Sequence, residues 1–194
     1  TLAVVTDRDA ADVLALVEKA FGDWTGGDKP VVTTPAIPAP AARVMRKPVE
    51  AEQANIFLGH VGIERKDPDY TALAVFDNVF GTGSGFTSRL AMNVRDQKGL
   101  AYTVYGDITG TAGVRPGLLR IFAGTKPEDW AVALKEMHLE LAGMLTHPPT
   151  PEELAGAKAA LRGAMVTACE SASDLAGLLL MLERYGLGFD FPKR

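Results

Sequence analysis

The sequence predicts an α+β fold: a two-layer α/β sandwich with a mostly antiparallel sheet and helices packed on it. Its 194 residues are enough for one domain, since a chain of this size buries roughly 70% of its unfolded surface. The predicted order of elements is β-α-β-β-α-α-β-β-α-α-α, and adjacent strand pairs imply antiparallel ladders. The helices carry apolar stripes, which need a common sheet face to be buried.

The N-terminal part is predicted to contain one strand and one helix. Residues 2–5 are apolar and favour a strand, and Asp9 is suited to cap the helix that follows. Apolar residues recur at helical spacing up to Gly22, which ends the helix. Residues 25–42 carry four prolines, so they are predicted to form an extended connector within one domain.

The middle of the chain is predicted to form two strands and two helices around a glycine-rich loop. Residues 42–49 and 53–63 favour strands, and the second of these is largely apolar. A helix follows over residues 66–81, with Asp67 as its cap and Pro68 at its first position. After the loop, a short helix is predicted over residues 88–97.

The C-terminal half is predicted to begin with a hairpin of residues 100–109 and 118–124. Three helices follow. The first has an apolar stripe of Trp130, Leu134, Met137, Leu141 and Leu145. The second starts with a capping box formed by Thr150 and Glu153, and the third covers residues 173–185.

Composition excludes several classes of function. The net charge is −4 and no run of lysine or arginine stands out, which argues against a nucleic-acid partner. No apolar stretch approaches the roughly 20 residues of a membrane span. The single cysteine, Cys169, excludes an internal disulfide. Because the chain begins at Thr1 within a predicted strand, we expect a piece of a longer polypeptide, and both bacterial cytoplasm and periplasm remain open.

The glycine-rich loop that starts at Gly81 poses the main functional question. A phosphate-binding loop ends its glycine run with lysine and then serine or threonine, whereas Phe86 and Thr87 follow Gly85 here. A dinucleotide fingerprint needs a strand directly before the loop, and the preceding residues have helical spacing instead. The sequence therefore favours a hinge between two helices over a nucleotide site.

Arg95 and Tyr102, in the segment after the loop, are candidate functional residues. They lie seven residues apart, across a Gly-Leu break between a helix end and a strand start. A surface arginine and a half-buried tyrosine would be an ordinary structural outcome. However, an arginine and a neutral phenol directed at one point would form a donor pair suited to a substrate carbonyl or a developing oxyanion.

Residues 84–106, SGFTSRLAMNVRDQKGLAYTVYG, resemble the C-terminal-type, non-zinc domain of the pitrilysin/insulinase family of zinc metallopeptidases, the inverzincins. That family shows a glycine-rich loop, then Ser-Arg-Leu, then an arginine seven residues before the tyrosine of Gly-Leu-Ala-Tyr. The flanking segments 2–24, 54–81 and 150–163 also look like the family, so residues 1–194 would form one C-terminal-type domain.

The resemblance implies the family's α/β sandwich and a role as half of a peptidase chamber. Arg95 and Tyr102 would face a zinc site on another domain, bind the peptide backbone and help polarise the scissile carbonyl. Gly83, Gly85, Phe86 and Thr87 would bind substrate by lining the chamber, or would let the two halves move.

No zinc site is expected in this chain itself. It lacks the family's His-x-x-Glu-His motif, and its three histidines are His60, His138 and His147. His60 and Glu64 are four residues apart on a predicted strand, which places them roughly 13 Å apart and too far for one ion. The zinc would therefore be bound by another domain of the same chain or by a partner subunit, in a homodimer or a heterodimer.

Two functional hypotheses remain after the sequence analysis. In the first, the chain is the substrate-binding half-chamber domain of a zinc metalloendopeptidase that acts on peptides, and it is inactive alone. In the second, it belongs to a non-catalytic scaffold or processing subunit of the same fold. An inverted zinc motif in the same chain or in a partner subunit would favour the first hypothesis.

Overall fold

The computed structural model describes residues 1–28, 36–37, 39, 41–83 and 88–191. The α-helices are α1 (Ala10–Phe21), α2 (Tyr70–Asp77), α3 (Trp130–Thr146), α4 (Pro151–Thr167) and α5 (Ala172–Tyr185). Two further helical segments have the wider π-helical winding, π1 (Asn78–Thr82) and π2 (Ala91–Gln97). The strands are β1 (Ala54–Val61), β2 (Thr103–Asp107) and β3 (Leu118–Thr125).

The three strands form one antiparallel sheet in the order β1-β3-β2. β2 and β3 are the predicted hairpin, and β1 pairs with the other edge of β3, so that Phe57, Phe122 and Tyr105 lie in one row across the sheet. The predicted α+β fold, with an antiparallel sheet and helices packed on it, is confirmed.

The core lies between one face of the sheet and the helical segments. From the sheet, Val104, Ile121 and Ala123 are buried, and they alternate with the residues of the opposite face. Ala101, just before β2, is also buried in this cluster. The helical part of the chain contributes the other buried residues of the cluster, which are Val79, Phe80, Leu90, Ala91, Val94, Met137, Met144 and Ala157. Both π segments therefore belong to the core, on either side of the glycine-rich loop.

The opposite face of the sheet carries the aromatic row. The Phe57 and Phe122 ring centroids are 5.0 Å apart, and those of Tyr105 and Phe122 are 5.2 Å apart. Phe57 is nevertheless 72% exposed. The guanidinium of Arg120 pairs with Asp107 on the same face, with Nε 2.9 Å from Oδ2.

The N-terminal part departs from the sequence prediction. α1 forms as expected, and its cap Asp9 accepts a hydrogen bond from the Ala11 N–H, but α1 buries none of its residues. The strands predicted at 2–5 and 42–49 are not formed. Neither segment pairs with a strand of the sheet, and an isolated extended segment gains no ladder of hydrogen bonds to offset its ordering.

The apolar stripe of α3 is also shifted from the prediction. Met137 is fully buried as expected, but Leu145 is 88% exposed and Trp130 is 39% exposed. Ala133 and Met144 are buried in their place. The buried face of α3 therefore includes the small residue Ala133, whereas the predicted stripe contained only large apolar residues.

The two C-terminal helices begin as predicted. Thr150 Oγ1 accepts from the Glu153 N–H, and the Glu153 carboxylate accepts from the Thr150 N–H, which confirms the capping box of α4. α5 ends at Gly186, whose φ is +62°. Within the described part of the chain, no single helix has the length and apolar character to cross a membrane; α4 and α5 reach that requirement only together, with a bend of 112°.

Candidate functional site

Arg95 lies in π2, which is fixed by burial and by contacts to α3. Leu90 and Val94 are fully buried, and Ala91 is nearly so. On the polar side of π2, the Asn93 amide donates to Glu140 and the Lys98 ammonium pairs with Glu136. The helix that presents Arg95 is thus held on two sides.

The Arg95 side chain is about one quarter exposed and has a neighbouring carboxylate. Its Nε donates to Asp96 Oδ1 at 2.9 Å, where the relative exposures of the two side chains are 26% and 41%. A solvent-accessible pair of this kind contributes little to stability. The pair holds the guanidinium through Nε, and Nη2 of the same guanidinium is buried.

Two residues after the end of π2, Gly99 has a φ of +64°, which lies in the left-handed region that favours glycine. The Gly99 N–H donates to the Arg95 carbonyl at 3.0 Å, and the Leu100 N–H donates to the Val94 carbonyl at 2.9 Å. These bonds satisfy carbonyls that a helix end leaves open, as in other glycine C-caps. The chain then turns towards β2.

Tyr102 stands directly before β2, and its backbone is tied to β3. Its N–H donates to the Gly124 carbonyl at 2.9 Å. The buried Thr125 hydroxyl donates to the Leu100 carbonyl at 2.5 Å. The Tyr102 side chain is 64% exposed, so the phenol is carried by a fixed backbone and is accessible. The structure therefore places Arg95 and Tyr102 on either side of one capped turn.

The predicted substrate-binding residues of the loop fall mostly outside the described residues. Gly85, Phe86 and Thr87 lie outside the described residues, and of the four predicted residues only Gly83 is described. Gly83 follows π1 with a φ of −52°, which any residue can adopt. The backbone at Gly83 therefore does not require glycine.

Two polar anchors that flank the loop were not predicted from the sequence. Before it, the Asp77 carboxylate is buried and accepts hydrogen bonds from the Ile108 N–H at 2.8 Å, the Thr109 N–H at 2.9 Å and the Thr109 hydroxyl. Burial is the main influence on Asp77 and raises its pKa above the ordinary value. Asp77 thereby joins the end of α2 to the turn after β2.

The second anchor, Arg89, follows the loop. Its Nε and Nη2 bind the two carboxylate oxygens of Glu153 at 2.8 and 2.7 Å. Its Nη1 also donates to the His147 carbonyl at 2.7 Å, and its Nη2 to the Pro148 carbonyl at 3.2 Å. The hydrogen bond from Arg89 lowers the pKa of Glu153. The capping box identified Glu153 from the sequence, but no local signal indicated its partner.

The described residues do not fit a zinc ion. They contain no group of three or more histidine, cysteine, aspartate or glutamate side chains that could hold a metal. The ring Nδ1 atoms of His60 and His138 instead lie 2.8 and 2.9 Å from the backbone carbonyls of Val61 and Leu134. The Nδ1 of His147 lies 2.9 Å from the Thr146 hydroxyl.

A family model and sequence relatives agree on the family to which this chain is similar. The model of the family described as the peptidase M16 inactive domain matches residues 1–161. An "uncharacterized zinc protease" of Streptomyces coelicolor is 32% identical over 181 residues, which are 90% of this chain and 38% of that protein. A Bacillus subtilis protein named "probable inactive metalloprotease" is 27% identical over 132 residues, 67% of this chain and 29% of that protein.

A solved structure agrees with these sequence relatives. The crystal structure of a peptidase M16 inactive domain from Pseudomonas fluorescens superposes with a TM-score of 0.67 at 32% identity, covering 74% of this chain and 33% of that one. The chain spans less than two fifths of the length of the curated relatives described above.

Proposed function

The chain belongs to the peptidase M16 inactive domain family, and on that premise we propose that it is the substrate-binding half-chamber domain of a zinc metalloendopeptidase acting on peptides. The family is named for a domain without its own activity, so the activity of the whole protein requires another domain or subunit. The observation that carries the proposal is the placement of Arg95 and Tyr102 on either side of the turn at Gly99.

In this proposal the two side chains act as hydrogen-bond donors to the substrate. The Arg95 guanidinium carries several donors in a fixed plane. The phenol of Tyr102 donates through its hydroxyl. Together they would hold the peptide backbone and stabilise negative charge that develops on the scissile carbonyl oxygen.

The zinc ion would be held elsewhere, since the described residues offer no ligand set. Such an ion supplies Lewis-acid chemistry, polarising a carbonyl and activating bound water. Its ligands would come from a zinc-binding domain of the same polypeptide or from a partner subunit in a homodimer or a heterodimer. Gly83, Gly85, Phe86 and Thr87 would contribute to the peptide-binding surface or to the relative movement of the two halves.

The experiment that tests the proposal uses the complete protein or complex, an unfolded peptide as substrate and quantified bound zinc. We expect Tyr102→Phe to lower kcat/KM by about 10²–10³, as loss of one oxyanion donor does, with the zinc content unchanged. Tyr105→Phe is the matched control. It also removes one tyrosine hydroxyl, but Tyr105 lies within β2 on the aromatic face of the sheet. Equal activity of Tyr102→Phe and wild type would contradict the proposed role.

A second candidate function is a non-catalytic scaffold or processing subunit of the same fold. It is favoured by the relative from Bacillus subtilis whose name marks it as an inactive metalloprotease. If wild type cleaves no peptide while the protein binds zinc-bearing partner subunits, this second function is supported. Peptidase activity of the complete protein that depends on Tyr102 excludes it.

A further inference from the structure

A groove runs between the start of α2, the second half of α4 and the chain after α5. Its volume is about 720 Å³, which lies within the roughly 300–1,000 Å³ of typical ligand sites. Its walls are largely apolar and include Met165 and Val166 of α4 and Phe191 beyond α5. Neither Arg95 nor Tyr102 lines it, so the groove stands apart from the function proposed above.

Arg65 is the central polar residue of the groove. Its guanidinium carbon lies 3.8 Å from the centroid of the Tyr70 ring and 5.0 Å from that of Phe191, so the cation is enclosed between two aromatic faces. Nη2 lies 3.8 Å from the Met181 sulfur. Among the described residues, the buried Nη1 has no hydrogen-bond partner. A buried charged donor without an acceptor is unfavourable.

The remaining charges around the groove are mainly positive. Arg162 lines it from the exposed side of α4, and Lys66 lines it near the start of α2. Lys66 also pairs with Glu64 at 3.6 Å, outside the groove lining. One carboxylate, Asp67, belongs to the lining, and it already accepts a hydrogen bond from the Asp69 N–H at 2.9 Å.

This distribution differs from that of the chain as a whole. The net charge of the chain is −4, whereas three cations and one carboxylate line the groove. The positive end of the α2 dipole adds to the local potential. A complementary ligand therefore carries negative charge next to apolar groups.

We propose that the groove binds an acidic peptide segment. A carboxylate of the peptide pairs with Arg162 and Arg65, because the planar guanidinium matches carboxylate geometry. Neighbouring apolar side chains of the peptide lie against Met165, Val166 and Phe191. Because Nη1 of Arg65 is buried, the side chains around it shift in the complex, and the carboxylate then supplies the acceptor that this donor lacks.

The test uses the full-length protein and fluorescence anisotropy with a zinc chelator present, so that the probe is not cleaved. The probe is a fluorescein-labelled peptide of alternating leucine and glutamate with blocked termini. The matched peptide has glutamine in place of every glutamate. We expect the acidic peptide to bind at least about tenfold more tightly, since hydrogen bonds between charged groups are stronger than those between neutral groups. Its affinity should fall as salt is added.

Two single substitutions assign the binding to the groove. Arg162→Gln should weaken the acidic peptide about tenfold, and this exposed position does not threaten folding. Lys158→Gln is the control. It also removes one positive charge from α4, one helical turn before Arg162, but Lys158 does not line the groove. Val166→Asp, at a 68% exposed position, should also weaken binding by placing a carboxylate beside the ligand.

Several results would overturn the proposal. They are an absence of binding by the acidic peptide, equal affinities for the acidic and glutamine peptides, and equal effects of Arg162→Gln and Lys158→Gln. Competition by inorganic phosphate at concentrations as low as those of unlabelled acidic peptide would identify a simple anion site instead, and would also contradict the peptide proposal.

Discussion

Gly81 and Gly106 pack backbone against backbone. A Cβ atom built on Gly81 would lie 2.3 Å from both the backbone nitrogen and the carbonyl oxygen of Gly106, closer than real Cβ contacts allow. A Cβ on Gly106 would in turn lie 2.6 Å from Cε1 of Phe80. The first glycine of the loop thus serves close approach between π1 and β2, which positions the strand that follows Tyr102.

Gly81→Ala should therefore destabilise the fold. The added methyl group meets backbone rather than a mobile side-chain end, so π1 or β2 must shift, and overpacking of this kind costs about 1–3 kcal/mol. Urea unfolding measures the change. Gly163→Ala in α4 is the control: its Cβ would meet nothing within 4 Å, and alanine should stabilise the helix by about 0.5–1 kcal/mol. Equal stability of the Gly81→Ala variant and wild type would contradict the packing argument.

Asp77 predicts a specific dependence of stability on pH. Burial raises the pKa of its carboxyl in the folded state, so the folded protein binds the proton more tightly than the unfolded chain does. The contribution of Asp77 to the free energy of unfolding is then largest below the unfolded pKa of about 3.9 and falls as the pH rises through the folded pKa.

The measurement compares wild type with Asp77→Asn by urea unfolding across this pH range. Asparagine does not titrate, so the difference in free energy of unfolding between the two proteins isolates the carboxyl group. We expect the stability of wild type relative to Asp77→Asn to decrease as the pH rises. A relative stability that increases with pH would show that the three hydrogen bonds to the carboxylate outweigh its burial.

Arg89 and Glu153 predict the opposite dependence at the other end of the loop. The hydrogen bond from Arg89 lowers the pKa of Glu153, so the stabilisation is present above the unfolded pKa of about 4.3 and is lost as the pH falls through the folded pKa. Arg89→Lys keeps the charge but loses the planar fork that binds Glu153 and two backbone carbonyls. We expect a loss of about 1–3 kcal/mol at pH 7.

A double-mutant cycle of Arg89→Lys with Glu153→Gln, measured by urea unfolding, gives the coupling between the two side chains. A coupling near zero would mean that Arg89 acts through the carbonyls of His147 and Pro148 alone. A coupling that disappears below the folded pKa of Glu153 would agree with the ion pair.

Local patterns in the sequence predicted the elements whose stabilising contacts are local. Asp9 and the Thr150–Glu153 capping box bond to residues within three positions of themselves, and β2 and β3 are consecutive strands along the chain. The anchors were not predictable in this way. Asp77 bonds 31 and 32 residues away and Arg89 bonds 64 residues away, so their partners become neighbours only when the sheet and helices have assembled.

The predicted strand at residues 2–5 shows the converse limitation. Its apolar residues satisfy the local pattern of a strand, but a strand is stabilised by a partner, and no strand of the described sheet pairs with it. Arg95 and Tyr102 were first noted from their residue types and spacing, and their role was then predicted from the resemblance to the family motif. Their placement depends on Gly99, whose positive φ was not expected from the sequence.

Gly99 therefore provides the last prediction, because it separates stability from function. Alanine at φ +64° is strained by about 1–2 kcal/mol, although its Cβ would meet nothing within 4 Å. Gly186 is the matched control: its φ is +62°, its surroundings are equally open, and it caps α5. In urea unfolding we expect Gly99→Ala and Gly186→Ala to lose similar free energies of unfolding.

Their effects on the activity of the complete protein should differ. Gly99→Ala alters the turn that joins Arg95 to Tyr102, and a displacement of about 1 Å between groups that bind one substrate can cost a hundredfold in rate. We expect kcat/KM to fall with Gly99→Ala and to stay near the wild-type value with Gly186→Ala, measured well below both unfolding temperatures. If both variants retain full activity, the spacing of Arg95 and Tyr102 does not matter for peptide cleavage, and the role proposed for the pair is wrong.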